Sequence, residues 1–179
     1  MRIGFIGLGN VGGKLAGSIL RSDFDLTVRD LDSELEHSFA RKGATIGESP
    51  AQIARNVDIL ITCLPNPAAS ANVMEGEDGV LSAIGPGTIW AEMSTTDERE
   101  VRRLGEQVMA AGGEPIDCPV SGGCHRAATG NISIFAGTER STFDKALPVL
   151  TTLGRRVLHT GPLGSASILK VLTNYLASV

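Results

Sequence analysis

A glycine-rich loop close to the start of the chain restricts the fold more than any other feature of the sequence. The apolar run from Ile3 to Ile6 is typical of a buried strand, and Gly7-Leu8-Gly9-Asn10-Val11-Gly12 follows it directly. Apolar residues then recur at the spacing of one helix face as far as Ile19. This order is typical of a loop that holds the pyrophosphate of a dinucleotide at a helix N-terminus. The residues predicted to bind such a cofactor are Gly7, Leu8, Gly9, Asn10, Val11 and Gly12; a purely structural turn is the alternative.

An acidic residue stands where a dinucleotide-binding unit needs one. Asp30 follows the short strand predicted over Leu26 to Val28. A carboxylate at this point accepts hydrogen bonds from the ribose hydroxyls of the adenosine, and it repels the 2′-phosphate that distinguishes NADP from NAD. We therefore expect NAD as the cofactor, while Arg29 beside Asp30 keeps NADP open.

Strand and helix patterns alternate along the chain, which predicts an α/β protein with a doubly wound, Rossmann-type, mostly parallel sheet. The continuous apolar run from Val57 to Leu64 indicates a central strand, in which Cys63 is expected to be a core residue. Thr95 and Glu98 have the spacing of a capping box at the start of a helix. The other predicted strands are Thr88 to Ala91, Pro115 to Asp117, Ile132 to Ala136 and Arg156 to Leu158, and the other predicted helices are Ser33 to Lys42 and Arg140 to Leu150.

A second loop at the ligand-binding edge has the residue types of an anion site. Ser121, Gly122 and Gly123 follow the strand predicted to end at Asp117. Consecutive glycines free backbone amides to point at an anion, and Ser121 adds a hydroxyl. A small carboxylate would fit these groups, although a plain connecting loop is an equal alternative on this stretch alone.

The last segment of the chain is predicted to be a helix from Ser165 onward. Most of its circumference is apolar, and Ser167, Lys170 and Asn174 share the one polar stripe. If Lys170 faces a cleft, burial would lower its pKa toward about 7–8, where an amine exchanges protons readily. A side chain extended into solvent is the alternative. The apolar side chains of such a helix must be buried against other protein. We therefore expect this chain to be a piece of a longer polypeptide, or a partner subunit to cover the helix.

Charge and composition argue against several classes of partner. The net charge is -4 and the basic residues are scattered pairs, so we predict no nucleic-acid partner. No apolar stretch reaches membrane-spanning length and no leader peptide precedes Ile3, which predicts a cytoplasmic protein without membrane contact. Cys118, Cys124 and His125 lack the spacing of metal ligands, so no metal site is expected.

Taken together, these motifs resemble the β-hydroxyacid dehydrogenase family over the whole chain. The resemblance rests on Gly7 to Gly12, Cys63 to Asn66, Ser94-Thr95, Asp117 to Gly123 and Gly164 to Asn174. It implies that Leu64, Pro65 and Thr95 also contact the cofactor. It further implies that Lys170 is the catalytic lysine, that Asn174 orients the substrate, and that the Ser121 loop binds the substrate carboxylate.

The resemblance also implies an organisation and an activity. Residues 1–163 would be the NAD-binding domain and residues 164–179 the start of an interdomain helix, with an all-helical second domain absent from this chain. The full-length protein would be a homo-oligomer that transfers a hydride between NAD and a short β-hydroxyacid such as 3-hydroxyisobutyrate, and the fragment alone would be inactive. The alternatives are an NADPH-dependent reductase of glyoxylate or succinic semialdehyde and a non-catalytic dinucleotide-binding module.

Overall fold

In the computed structural model, residues 1–177 are described, and they contain one mixed β-sheet with helices on both of its faces. The sheet includes short edge strands that no pattern in the sequence predicted. Its strands are β1 (Arg2–Ile6), β2 (Asp25–Arg29), β3 (Thr45–Ile46), β4 (Ile59–Thr62), β5 (Ile89–Glu92), β6 (Glu114–Asp117), β7 (Val120–Ser121), β8 (Ile132–Gly137) and β9 (Gly154–Gly161).

The helices connect these strands in the alternation that the sequence predicted. A short 3-10 turn at Val80–Ser82 precedes β5. The helices are α1 (Gly12–Leu20), α2 (Ser33–Ala40), α3 (Pro50–Asn56), α4 (Pro67–Glu75), α5 (Glu98–Ala110), α6 (Gly123–Ala128), α7 (Arg140–Leu153) and α8 (Ser165–Ala177).

The strand order confirms the doubly wound, mostly parallel fold. The sheet runs β3-β2-β1-β4-β5-β6-β8-β7, with β9 paired to β8. Strands β1 to β6 are parallel to one another, whereas β8 is antiparallel to both β6 and β7. The order 3-2-1-4-5-6 places the reversal between β1 and β4, and ligands of such sheets bind in the crevice at that point.

Alternate residues of the central strands build the core on the two faces of the sheet. In β4, Ile59 and Ile61 belong to one cluster of buried side chains and Leu60 to another. Helices α1 and α7 complete the first cluster, while α3, α4 and α5 complete the second. Both faces of the sheet are therefore covered, which is why its central strands are continuous apolar runs.

Two sequence predictions of local structure were wrong. Helix α5 is capped by Asp97, whose carboxylate accepts a hydrogen bond from the amide of Arg99, so Thr95 and Glu98 do not form a capping box. A cap two residues later leaves Thr95 in the loop. Strand β4 ends at Thr62, so Cys63 and Leu64 lie in the loop that follows it, although the Cys63 amide still donates to the Ile6 carbonyl at 2.9 Å.

Candidate functional site

A large cavity opens at the carboxyl ends of β1, β2 and β4. Its volume is about 740 Å³, which is the range of small-molecule sites. Its walls are the glycine-rich loop, the loops after β2 and β4, and parts of α4 and the turn that follows α4. The residues predicted to bind the cofactor that line it are Gly7, Gly9, Asn10, Val11, Gly12, Asp30, Leu64 and Pro65.

The glycine-rich loop is shaped by close backbone contacts. Gly7 has a φ of 98°, which side-chain-bearing residues rarely adopt. A Cβ at Gly12 would lie 2.0 Å from the carbonyl oxygen of Gly7, so only glycine allows the start of α1 to pack there. A Cβ at Gly9 would meet no atom within 4 Å, because that position faces open space. The loop thus leaves room for a phosphate beside the N-terminus of α1, where the helix dipole favours an anion.

Asp30 is held at the mouth of this cavity by backbone amides. Its Oδ2 accepts a hydrogen bond from the amide of Leu8 at 2.5 Å, and its Oδ1 accepts one from the amide of Asp32 at 2.9 Å. The neighbouring side chain of Leu31 is fully exposed and lines the same cavity. A carboxylate fixed beside the glycine-rich loop fits the ribose hydroxyls of an adenosine.

Arg29, the residue that could favour NADP, is occupied by a carboxylate. Its Nη1 lies 2.8 Å from Oε1 of Glu36, and the same Oε1 accepts a hydrogen bond from the amide of Asp30 at 3.0 Å. Glu36 is 5% exposed, so this ion pair is largely shielded from solvent on the Glu36 side.

The loop after β4 is hydrogen-bonded to the loop after β5. The hydroxyl oxygen of Ser94 accepts a hydrogen bond from the amide of Leu64 at 2.7 Å, and the Ser94 amide donates to Oε1 of Glu92 at 2.8 Å. Glu92 is 1% exposed, and its Oε2 has no hydrogen-bond partner within residues 1–177. Burial raises the pKa of the Glu92 carboxyl, although the hydrogen bonds from Ser94 oppose that shift. A buried carboxyl thus supports the cavity wall at Leu64.

Leu8 and Thr95, which were predicted to bind the cofactor, and Cys63, which was predicted to be a core residue, differ from expectation in their burial or their contact with the cavity. The side chain of Leu8 is in the core at 2% exposure, so Leu8 offers only its backbone to the loop. Thr95 is exposed in the loop after β5 and does not line the cavity. Cys63 does line it, half-buried, so the prediction of a core cysteine within the strand was wrong. Burial raises the pKa of the Cys63 thiol to about 12.

Helix α8 is anchored at its first turn by a carboxylate from another part of the chain. Asp117, the last residue of β6, accepts hydrogen bonds from the amides of Gly164 and Ser167, each at 2.7 Å, and from the Ser167 hydroxyl at 3.0 Å. This carboxylate replaces the side-chain cap that Gly164 cannot supply. Burial raises the pKa of Asp117, and the three hydrogen bonds oppose that shift. Asp117 thereby fixes the start of α8 at the carboxyl edge of the sheet.

The polar stripe of α8 becomes more exposed with distance from this anchor. Ser167 is 3% exposed, Lys170 is half-buried and Asn174 is exposed. Partial burial lowers the pKa of the Lys170 ammonium below its usual value. Neither Lys170 nor Asn174 lines the large cavity. Half-burial lies between the two alternatives for Lys170, a cleft and free solvent.

The predicted substrate loop begins at the same carboxylate. Three residues separate Asp117 from Ser121, which is half-buried and pairs with Ser133 of β8 in antiparallel register. Gly122 and Gly123 have φ values of 134° and 77° and are exposed, so their backbone is open to solvent at the start of α6. These three residues also lie outside the large cavity.

The anchoring groups Asp117, Ser94, Glu92 and Glu36 have no role in the sequence-based site prediction. Asp117 and Ser94 appeared only as parts of motifs, and Gly164, the partner of Asp117, follows it by 47 positions. One signal was available, because the segment before α8 has no serine, threonine, aspartate or asparagine at the capping position. A missing local cap indicates that the cap comes from elsewhere in the fold.

The outer face of α8 is apolar and uncovered. Its exposed side chains, each with 48% or more of its surface accessible, are Ile168, Val171, Leu172, Tyr175 and Leu176. The inner face packs on β6, β8, β9 and α5. Within residues 165–176, the helix therefore has more apolar surface than its own sheet buries, as expected from the sequence.

Among the described residues, no helix is both long and apolar enough to cross a membrane. The same residues bring together no group of three histidine, cysteine, aspartate or glutamate side chains suited to a metal ion. The predicted lack of nucleic-acid, membrane and metal partners stays a prediction.

Comparison with known proteins agrees with this geometry. The family model described as the NAD-binding domain of 6-phosphogluconate dehydrogenase matches residues 2–161. A probable mitochondrial 3-hydroxyisobutyrate dehydrogenase of Dictyostelium discoideum is 33% identical over 99% of this chain and 55% of its own length. A 2-(hydroxymethyl)glutarate dehydrogenase of Eubacterium barkeri is 32% identical over 98% of this chain and 58% of its own length.

The fold matches solved structures equally well. A 3-hydroxyisobutyrate dehydrogenase of Mycobacterium tuberculosis, solved with L-serine, superposes with a TM-score of 0.92 and 26% identity over 98% of this chain and 60% of that one. The chain thus spans about three-fifths or less of the length of these relatives. Because the family model covers nearly all of the chain and the relatives are hydroxyacid dehydrogenases, the chain belongs to the β-hydroxyacid dehydrogenase family and carries its NAD-binding domain.

Proposed function

We propose that the full-length protein transfers a hydride between NAD and a short β-hydroxyacid, with Lys170 exchanging the proton of the substrate hydroxyl. The observation that carries this proposal is the anchoring of α8 by Asp117, because β6 is parallel to β1 and β4 and its carboxyl end lies at the edge where the nucleotide cavity opens. This anchor supports a position for Lys170, half-buried and with a lowered pKa, near the edge where the cofactor would bind.

The cavity residues fit a dinucleotide. The open space at Gly9, the left-handed turn at Gly7 and the fixed carboxylate of Asp30 suit a pyrophosphate and a ribose without a 2′-phosphate. Leu64 and Pro65 line the same cavity, and a cofactor contact of Thr95, exposed in the loop after β5, stays a prediction. When bound, NAD supplies the hydride acceptor, or NADH the donor, at the nicotinamide ring.

The chain's own residues handle the substrate and its proton. Ser121 and the amides of Gly122 and Gly123 bind the carboxylate, because their hydroxyl and open backbone can donate hydrogen bonds to an anion. During oxidation the neutral Lys170 amine accepts the hydroxyl proton, and during reduction the ammonium returns it to the carbonyl oxygen. Asn174, one turn beyond Lys170, orients the substrate on the same stripe.

The organisation of the full-length protein belongs to the same proposal. Residues 1–163 form the NAD-binding domain, and residues 164–179 begin the helix that leads to a second, helical domain; residues 178–179 lie outside the described part of the chain. A homo-oligomer remains a prediction. So does a cytoplasmic location, because the relative in Dictyostelium discoideum is named mitochondrial.

Turnover assays of the full-length protein test the proposal directly. Short β-hydroxyacids, including 3-hydroxyisobutyrate, should reduce NAD+ with a rate that rises with pH through the lowered pKa of Lys170. The sign follows because oxidation needs the neutral amine. Nucleotide binding without turnover of any such acid would leave a dinucleotide-binding module, and turnover of glyoxylate or succinic semialdehyde with NADPH alone would favour the reductase.

A further inference from the structure

We propose that Glu36 is a specificity-determining residue for the cofactor, because it pairs with the guanidinium of Arg29, the cation that would otherwise bind a 2′-phosphate. This inference rests on the proposed NAD site and adds a second determinant to Asp30. It assigns a role to a buried carboxylate that lies outside the cavity wall and touches two residues of that wall.

The first step of the argument is the charge of the cavity. Among the lysines and arginines of residues 1–177, Arg29 alone lines the cavity. The acidic residues that line the cavity are Asp30, Glu77 and Asp78. A 2′-phosphate beside Asp30 would therefore need Arg29 as its counter-charge, since the rest of the ionisable wall is negative.

The second step is the position of Glu36 relative to Arg29 and Asp30. One oxygen, Oε1, contacts both the guanidinium of Arg29 at 2.8 Å and the amide of Asp30 at 3.0 Å. The carboxylate is therefore placed from two sides, and its 5% exposure limits competition from water. If Arg29 bound a phosphate instead, it would break its ion pair with Glu36. The buried carboxylate would then lack a counter-charge, which is unfavourable in free energy.

The third step is that Glu36 supports Asp30 through the backbone. The amide of Asp30 is bonded to Glu36 while the Asp30 carboxylate is bonded to the amides of Leu8 and Asp32. Asp30 and Glu36 therefore both favour NAD over NADP. Asp30 repels the 2′-phosphate, and Glu36 occupies the cation that would attract it.

The test is Glu36→Gln, with dissociation constants of NAD+ and NADP+ measured by calorimetry on this chain. Glutamine keeps an oxygen that can accept from the Asp30 amide and removes the charge that binds Arg29. We expect NADP+ to bind about tenfold more tightly, the size of one charge-assisted hydrogen bond, and NAD+ to stay within about twofold.

A matched control separates the specific effect from a change of net charge. Glu34→Gln alters the same helix by the same charge, and Glu34 is exposed in the first turn of α2. It should leave the ratio of the two affinities within about twofold. An equal gain in NADP+ affinity from both variants would overturn the proposal.

A double variant tests whether Arg29 causes the expected gain in NADP+ affinity. Adding Arg29→Gln to Glu36→Gln should abolish the gain in NADP+ affinity, and a gain that persists contradicts the inference. Glu36→Asp covers the case in which Glu36→Gln does not fold, because the shorter side chain keeps the charge but loses the 2.8 Å contact. It should shift the preference in the same direction.

The outcomes also separate this inference from the proposed function. If the Glu36→Gln chain binds NAD+ normally and NADP+ no better than the parent chain does, the inference fails and the NAD site stands. If the parent chain binds neither nucleotide, both fail.

Discussion

The nucleotide cavity and helix α8 lie at the same edge of the sheet, yet they are built differently. The cavity is enclosed by consecutive elements, from β1 through α4, and its loops are fixed by short backbone contacts such as that between Gly12 and Gly7. Helix α8 is fixed at its first turn by Asp117, and its outer apolar side chains are uncovered. The difference indicates that nucleotide binding is a property of this chain, whereas the proton transfer proposed for Lys170 depends on how α8 is held and covered.

The strongest test of this comparison is Lys170→Ala in the full-length protein. We expect kcat to fall by about a hundredfold or more because the proton acceptor is lost, while NAD affinity stays within about twofold. Steady-state kinetics and nucleotide titration measure the two quantities. Lys42→Ala, at an exposed lysine just beyond α2, is the control and should retain full turnover. If NAD affinity collapses together with kcat, the two regions are not separable.

The reciprocal test changes the cavity and leaves α8 intact. Gly12→Ala would place a Cβ 2.0 Å from the Gly7 carbonyl oxygen, so the loop must move. We expect NAD affinity to fall by about tenfold or more and the free energy of unfolding to drop by about 1–3 kcal/mol, as for overpacked sites. Titration calorimetry and denaturant unfolding give both values.

Gly17→Ala is the matched control on the same helix. Its Cβ would meet only the flexible end of Arg21, at 3.4 Å. Because alanine is the better helix former, this variant should be stabilised by up to about 1 kcal/mol and bind NAD normally. Equal losses in both variants would mean that the close contact at Gly12 is unimportant.

Asp117→Asn tests the carboxylate that anchors the first turn of α8. An amide keeps one acceptor oxygen where the carboxylate serves two amides and a hydroxyl, so about 1–3 kcal/mol of unfolding free energy should be lost. We expect kcat of the full-length protein to fall by about tenfold as Lys170 loses its position, with NAD affinity unchanged. Ser167→Ala removes one of the three hydrogen bonds and should give a smaller effect on both quantities. An unaltered kcat in Asp117→Asn would show that α8 is positioned by other contacts.

The smallest expected effect concerns Glu92, which lies between the two regions. Its pKa is raised by burial above the usual value of 4.5, so the folded protein binds more protons than the unfolded chain above that pH. Stability of the parent protein should therefore fall relative to that of Glu92→Gln as pH rises from about 4.5 through the folded-state pKa of Glu92, whereas the raised pKa of Asp117 affects both proteins alike.

Denaturant unfolding over this pH range measures the divergence between the two proteins. Glu106→Gln, on the exposed side of α5, removes a charge without touching the buried network and should run parallel to the parent protein. A parallel course for Glu92→Gln as well would mean that Glu92 does not titrate abnormally.

The fold and the cofactor loop were predictable because their signals are local. A buried strand, glycines at fixed spacing and an amphipathic helix occupy fewer than about 20 consecutive residues, and the β1-α1-β2 unit follows from them. The Asn66-Pro67 pair at the start of α4 is also a local signal of a helix, since Asn66 caps that helix by accepting a hydrogen bond from the amide of Ala69 at 2.8 Å.

The ion pair of Arg29 with Glu36, the bond from Leu64 to Ser94 and the anchor from Asp117 to Gly164 depend on the folded chain. The two longer-range contacts join residues 30 and 47 positions apart, and even the Arg29 pair spans a turn between a strand and a helix. No periodicity in the sequence encodes which polar groups meet once the strands are aligned, because hydrogen-bond partners are chosen by burial and distance rather than by spacing. The amino-acid order therefore specified a nucleotide-binding α/β unit, and three-dimensional packing selected the carboxylates that hold its loops and its last helix in place.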